Sequence, residues 1–137
     1  MSKLDEVQII PRDLKADPRG WLLKVLTGTE DHLGSEIGEI YLTLAQPGQA
    51  RGNHYHRKTQ EWFTVVQGSA TLILGDPESG ARRELHLSAD TPVTVYVPSG
   101  VSHVFVNAAD ATTPMLLVAY ADQRYQPDDT IPANLLG

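Results

Sequence analysis

Two histidines two residues apart, His54 and His56, are followed five positions later by Glu61. In a β-strand, residues i and i+2 point to the same face, so both imidazoles are presented to one side. If Arg57-Lys58-Thr59-Gln60 is a turn, Glu61 joins them from the next strand. Two imidazoles and a carboxylate on one face form the ligand set of a divalent metal with open coordination positions. A second segment, Pro98 to Asn107, offers a third imidazole at His103. An isolated histidine is more often a satisfied core or surface residue, but here four donors are involved. Glu61 also sits beside apolar Trp62 and Phe63, where an unpartnered carboxylate would be costly and a cation would compensate it directly. His32 and His86 lie outside both segments and read as surface residues.

The elements that must carry these side chains read as short strands. Residues 5–26 hold a first strand region, a turn at Ala16-Asp17-Pro18-Arg19-Gly20 and a second run from Trp21 to Leu26. After a polar loop over 27–38, Glu39 to Leu44 alternates: Ile40, Leu42 and Leu44 take one face, Tyr41 and Thr43 the other. The apolar set is suited to packing between sheets or subunits, with Tyr41 and Thr43 lining a polar cavity next to the histidines. Trp62 to Val66 and Ala70 to Leu74 are joined by a tight turn at Gln67-Gly68-Ser69. Arg82 to Leu87, Val93 to Val97, Val101 to Asn107 and Met115 to Ala121 supply four more strands. No helical periodicity persists, and many short strands with regular turns indicate an all-β sandwich or barrel. The expected organisation is a single domain over 1–137, with a core near 39–121 and a polar, proline-interrupted tail over 122–137 wrapping the surface.

A chain of 137 residues can bury a core without staples. It has no cysteine, which excludes disulfides and thiolate metal sites. A net charge of −6 and only short basic clusters disfavour nucleic-acid binding. No segment reaches the apolar length of a membrane span, so a cytoplasmic protein is expected.

The stretch from Gly48 to Gly68 reads G-x5-H-x-H-x4-E-x6-G and resembles the first cupin motif at every specified position. Pro98 to Asn107 reads P-x-G-x2-H-x3-N and resembles the later part of the second, whose usual leading glycine would fall at Pro92. This resemblance implies a double-stranded β-helix, the cupin jelly-roll barrel. Asp17-Pro18-Arg19-Gly20-Trp21 looks like a D-x-R-G-aromatic segment of deoxysugar 3,5-epimerases. Arg51-Gly52-Asn53-His54-Tyr55-His56 is similar to their R-G-x-H-Y-Q, whose histidine is the general base, and to the R-G-x-H-A-H of sugar 3,4-ketoisomerases. Nearest is the C-terminal cupin domain of capsular-polysaccharide nucleotide-sugar enzymes, with G-N-H-x-H followed by K-x-E-aromatic-aromatic; here these are Gly52 to His56, Lys58, Glu61, Trp62 and Phe63. The tail's Pro127-Asp128-Asp129-Thr130 looks like that domain's F-D-P-x-x-P-D-T ending. That resemblance implies a sugar-nucleotide substrate, a homodimer and a divalent metal. Zinc is foremost, and iron, manganese or nickel suit the same donors.

The chemistry so implied is epimerisation or isomerisation of a nucleotide-activated 4-keto-deoxysugar. A proton beside a ketone becomes removable when a Lewis acid polarises the carbonyl, a base takes the proton and an acid returns it. His54 meets two demands here, since the epimerase resemblance makes it the base and the metal set makes it a ligand. If it is a ligand, the base is a neighbour: Tyr41, Lys24, Tyr55 or Tyr120. Arg51 and Arg19 are candidate diphosphate anchors through bidentate contacts, and Asn53 and Thr43 are candidate substrate contacts. Two other classes compete: a metal-dependent dioxygenase using iron, and a non-catalytic sugar-binding module.

Overall fold

A computed structural model describes residues 2–137. After a short 3-10 turn at Lys3–Glu6 come β1 (Gln8–Pro11), β2 (Leu14–Asp17), β3 (Gly20–Leu23), β4 (Glu39–Ala45), β5 (Ala50–Tyr55) and β6 (Glu61–Gln67). Then follow β7 (Ser69–Gly75), β8 (Arg82–Ser88), β9 (Val93–Val97), β10 (Ser102–Val106), β11 (Met115–Ala121), a 3-10 turn at Pro127–Asp129 and β12 (Ile131–Pro132). One five-stranded sheet has the order β1-β9-β6-β11-β4, and a second has β12-β5-β10-β7-β8. Their strand pairings are antiparallel throughout. The sequence alternation explains the layering. Along β11 every second residue, from Met115 to Ala121, is buried, and along β6 Phe63 and Val65 face inward. Phe63 meets Phe105 of the opposite sheet edge-on at 4.9 Å between ring centres, tying the two layers together. This is the all-β double-stranded β-helix expected from the sequence.

Two local expectations need correction, and one pairing is new. The run from Trp21 to Leu26 is a strand only as far as Leu23, and Val25 and Leu26 instead line an apolar crevice on the outer face of the first sheet. Strand β2 pairs with β3 and with no other strand, so this hairpin stands apart from both sheets. The tail does more than wrap the surface. Strand β12 pairs with β5, placing Ile131 opposite Tyr55 and Pro132 opposite His54, so the chain end docks on the strand that carries the first histidine. Among the described residues no helix is long and apolar enough to cross a membrane.

Candidate metal centre

Strand β5 is not regular where it approaches β10. Gly52 has φ +102° and Asn53 φ +70°, and the register jumps from His103↔His54 to Val104↔Gly52. One extra residue on β5 therefore faces one step on β10, which is a β-bulge. Only glycine suits position 52, because a Cβ there would lie 2.9 Å from the His103 carbonyl oxygen. The bulge bends β5 so that His54 and His56 project beside His103. The ring centres are 4.9 Å apart for His54–His56 and for His54–His103, and 5.8 Å for His56–His103. One nitrogen from each of the three rings lies within 4.8 Å of the others.

Glu61, the first residue of β6, enters from the other sheet and is only 3% exposed. Its Oε1 is 3.0 Å from His56 Nε2 and 3.4 Å from His103 Nε2. The tautomers follow from what the opposite ring nitrogens do. His56 Nδ1 sits 2.8 Å from the Asp129 carbonyl and His103 Nδ1 sits 3.3 Å from the Val101 carbonyl. A carbonyl only accepts, so each Nδ1 carries a proton. The Glu61 carboxylate also only accepts, so His56 donates from Nε2 to it while no metal is bound and would give up that proton to a metal. Neutral His103, by contrast, presents an Nε2 lone pair. Oε1 has no hydrogen-bond donor in the neutral arrangement. With His56 neutral, three lone pairs would converge on this buried point, so the site calls for positive charge there, either a second proton on His56 or a metal cation. The donor set fits a divalent metal: His54, His56, His103 and Glu61 would hold it, with histidines oriented by backbone carbonyls as metal-ligating histidines generally are.

The titration behaviour follows the same geometry. Burial pushes His54 down, the neighbouring His103 and His56 add to this, and it comes to about 4 against the opposing pull of Glu61. His54 is therefore neutral at pH 7. Among the described residues its ring makes no hydrogen bond, unlike the other two. Burial pushes His103 down as well. His56 moves up: burial opposes its charge, but Glu61 and the Asp129 carbonyl outweigh it. Burial raises Glu61, yet His56, His103 and Tyr41 together hold it below the usual carboxylate range. Tyr41 donates its hydroxyl to Glu61 Oε2 at 2.6 Å. Burial first, and the Glu61 charge next, push the phenol up, so Tyr41 keeps its proton. Its proton is directed at the Glu61 carboxylate.

All of these groups but His103, which is buried behind the wall, line a cavity of about 380 Å³, a size typical of small-molecule sites. Glu39, Tyr41, His54, His56 and Glu61 are on its walls, joined by Thr59 and by Gln123, Tyr125, Gln126, Asp129 and Thr130 of the tail. Of the neighbours expected to serve as base, only Tyr41 is brought here. Tyr55 lies on another part of the surface, beside the loop that follows β7. Tyr120 points to the outer face of its sheet, where its hydroxyl bonds Gly38 N and Glu36 O at 3.2 Å each. Lys24 is exposed and not on the cavity wall. Thr43 shares a strand face with Tyr41 but does not reach the cavity. Asn53 is a structural anchor, its side-chain oxygen accepting from Leu135 N at 2.9 Å.

The expected anion anchors are also elsewhere. Arg51 donates to the Leu44 carbonyl at 2.9 Å, and Arg19 pairs with Asp17 at 2.7 Å at the end of the free hairpin. No Lys or Arg lines the cavity. What sequence reasoning missed is the tail, above all Asp129. Its residues are polar and lack periodicity, and the only hint was the Pro-Asp-Asp-Thr resemblance.

Comparison with known proteins agrees with this picture. The chain is 22% identical over 130 residues to the spore coat polysaccharide biosynthesis protein SpsL of Bacillus subtilis, covering 91% of this chain and 84% of that one. It is 27% identical over 118 residues to UDP-2-acetamido-2,6-beta-L-arabino-hexul-4-ose reductase of Pseudomonas aeruginosa, covering 84% of this chain but only 30% of the reductase. Among solved structures, a dTDP sugar isomerase from Desulfovibrio desulfuricans G20 superposes with a TM-score of 0.84 at 22% identity, over 100% of this chain and 89% of that one. At that identity the likeness speaks for the fold alone. The polysaccharide biosynthesis C-terminal domain model matches residues 15–131, and the chain belongs to that family.

Proposed function

We propose that this protein epimerises or isomerises a nucleotide-activated 4-keto-deoxysugar for polysaccharide or deoxysugar synthesis, with a divalent metal held by His54, His56, His103 and Glu61. The observation that carries the reading is the convergence of one nitrogen from each of His54, His56 and His103, within 4.8 Å of one another, beside the buried Oε1 of Glu61 at the wall of a sugar-sized cavity. The three matched proteins, named for polysaccharide biosynthesis, a UDP-sugar and a dTDP sugar, support the substrate class.

When bound, the metal would supply Lewis-acid polarisation of the sugar carbonyl; zinc is the first candidate, with iron, manganese and nickel after it. The residues do the rest. The C–H bond next to the ketone breaks, its electron pair moves toward the carbonyl oxygen and its proton passes to a base. Return of a proton to the opposite face gives the epimer; return to the former carbonyl carbon, with the neighbouring hydroxyl losing its proton and the old carbonyl oxygen gaining one, gives the isomer. Tyr41, protonated and hydrogen-bonded to Glu61 on the cavity wall, is the proton donor in this reading. A second reading is supported by the unrestrained, neutral ring of His54, which would serve as the base and leave His56, His103 and Glu61 as the ligands.

The chain also reads as a homodimer. Strand β4 is a sheet edge, and its outward face exposes Ile40 at 72% and Leu42 at 66%. The detached hairpin exposes Trp21 at 60%. With no lysine or arginine among the described residues on the cavity wall, a diphosphate would rest outside it, where Arg19 on that hairpin would meet it across a dimer. The test combines metal analysis of purified protein with solvent deuterium incorporation into a panel of dTDP- and UDP-4-keto-6-deoxy sugars. The expected result is stoichiometric metal and deuterium at one or more carbons flanking the ketone; the absence of uptake across the panel would exclude the epimerase reading.

A further inference from the structure

Asp129 lies 73 residues after His56, in the 3-10 turn of the tail, and is only 6% exposed. Its carboxylate accepts Arg57 N at 2.8 Å, Lys58 N at 3.2 Å and the Thr59 hydroxyl at 2.9 Å. These three residues form the turn between β5 and β6, the strands that carry His56's neighbours and Glu61. The same residue's carbonyl accepts from His56 Nδ1 at 2.8 Å. The turn geometry holds this carbonyl in place: Pro127 opens the 3-10 turn and Asp129 N bonds the Gln126 carbonyl at 2.9 Å. One residue thus grips the turn with its side chain and fixes the ring with its backbone.

We infer that Asp129 is a positioning residue for the metal centre: by clamping the 57–59 turn it holds the His56 ring with its Nδ1 proton on the Asp129 carbonyl and Nε2 aimed at Glu61. This rests on the metal reading above. No other group among the described residues meets His56 Nδ1, so if the clamp opens the ring is free to rotate or to carry its proton on Nε2. Partners of this kind around metal-bound histidines change metal affinity about 10- to 100-fold when removed.

The test is histidine ¹⁵N NMR of chelator-treated protein, above the pH at which His56 loses its charge, together with zinc competition against a chromophoric chelator. Wild type should show the proton on Nδ1 of His56. Asp129→Ala should show a mixture of tautomers and about 10- to 100-fold weaker zinc binding. Asp129→Asn, which keeps one acceptor oxygen for the turn, should change both in the same direction but less, and serves if the alanine variant does not fold. Arg82→Ala cuts a more distant tail anchor, the 2.6 Å bond to the Leu135 carbonyl, and should leave the tautomer as in wild type. A wild-type tautomer in the folded Asp129 variants would overturn the assignment. So would an equal change in Arg82→Ala, since that would report general loosening of the tail. Because the tautomer is read without metal, failure of the wild-type protein to bind zinc would reject the metal reading separately.

Discussion

The Tyr41 hydroxyl donates to Oε2 of Glu61 at 2.6 Å, while the other oxygen of the same carboxylate faces His56 and His103. Glu61 therefore joins the proton-donating side of the cavity to the proposed metal side. Replacing Tyr41 by Phe removes the hydroxyl and leaves the ring. Solvent deuterium exchange should fall about 100-fold or more, while bound metal per chain stays at the wild-type level. Full exchange in Tyr41→Phe would remove Tyr41 from the proton path.

His54→Gln separates the two roles of that ring. With His54 as a ligand, zinc affinity and deuterium exchange should fall together. If metal content stays stoichiometric and exchange alone disappears, His54 is the base. Metal analysis and exchange on the same preparation distinguish the two.

Gly52→Ala tests the bulge. Its φ of +102° disfavours any side chain, and the new Cβ would sit 2.9 Å from the His103 carbonyl oxygen. The expected loss is roughly 1–3 kcal/mol, read from urea denaturation midpoints at unchanged slope. Metal affinity should fall as well, because the backbone shift moves His54 and His103 apart. Gly80, with φ +77° and open space around it, is the comparison site. An alanine there bears only the backbone strain.

Acid should loosen the segment over 25–30. Glu30 is buried against Arg12 at 2.7 Å and also accepts from Thr27 N. Burial raises this carboxyl, but the Arg12 guanidinium and the Thr27 amide outweigh it and bring it from 4.5 to about 2. A folded-state value below the unfolded one means the contribution is complete above pH 4.5 and fades as pH falls toward 2. The drop corresponds to roughly 3 kcal/mol at neutral pH. Glu30→Gln should be destabilised at pH 7 by up to that amount and converge with wild type near pH 2. Parallel stability–pH curves for the two proteins would contradict this.

Leu42→Arg should separate the subunits. The residue is 66% exposed on the outward face of edge strand β4, so the isolated chain tolerates the charge while a second copy packed there would not. Sedimentation should show a dimer for wild type and a monomer for the variant, with unchanged circular dichroism. A wild-type monomer at micromolar concentration would remove the dimer reading.

The donors of the site were legible in the sequence because their relation is local. His54 and His56 share a strand face by the two-residue period, and Glu61 follows one short turn later. The strands themselves showed the same alternation, which is why the β-barrel could be read from the chain alone. The misplaced residues have two causes. Arg51, Tyr55, Tyr120, Asn53 and Thr43 lie near the motif in sequence or on neighbouring strands, but proximity does not fix which way a side chain points after a bulge or a sheet edge. Arg19 lies in, and Lys24 directly after, the hairpin that pairs with neither sheet. The bulge at Gly52 and Asn53 turns Asn53 toward Leu135. Arg51, on the β4 side, is taken up by the Leu44 carbonyl.

What the amino-acid order determined is which residues carry donors and which strand faces they share, because those follow from backbone geometry over a few bonds. The tertiary structure alone decided that Tyr41 reaches Glu61 across 20 residues and that the Asp129 carbonyl meets His56 across 73. Both contacts depend on how distant strands register against one another, and that register is set by the packing of the whole barrel.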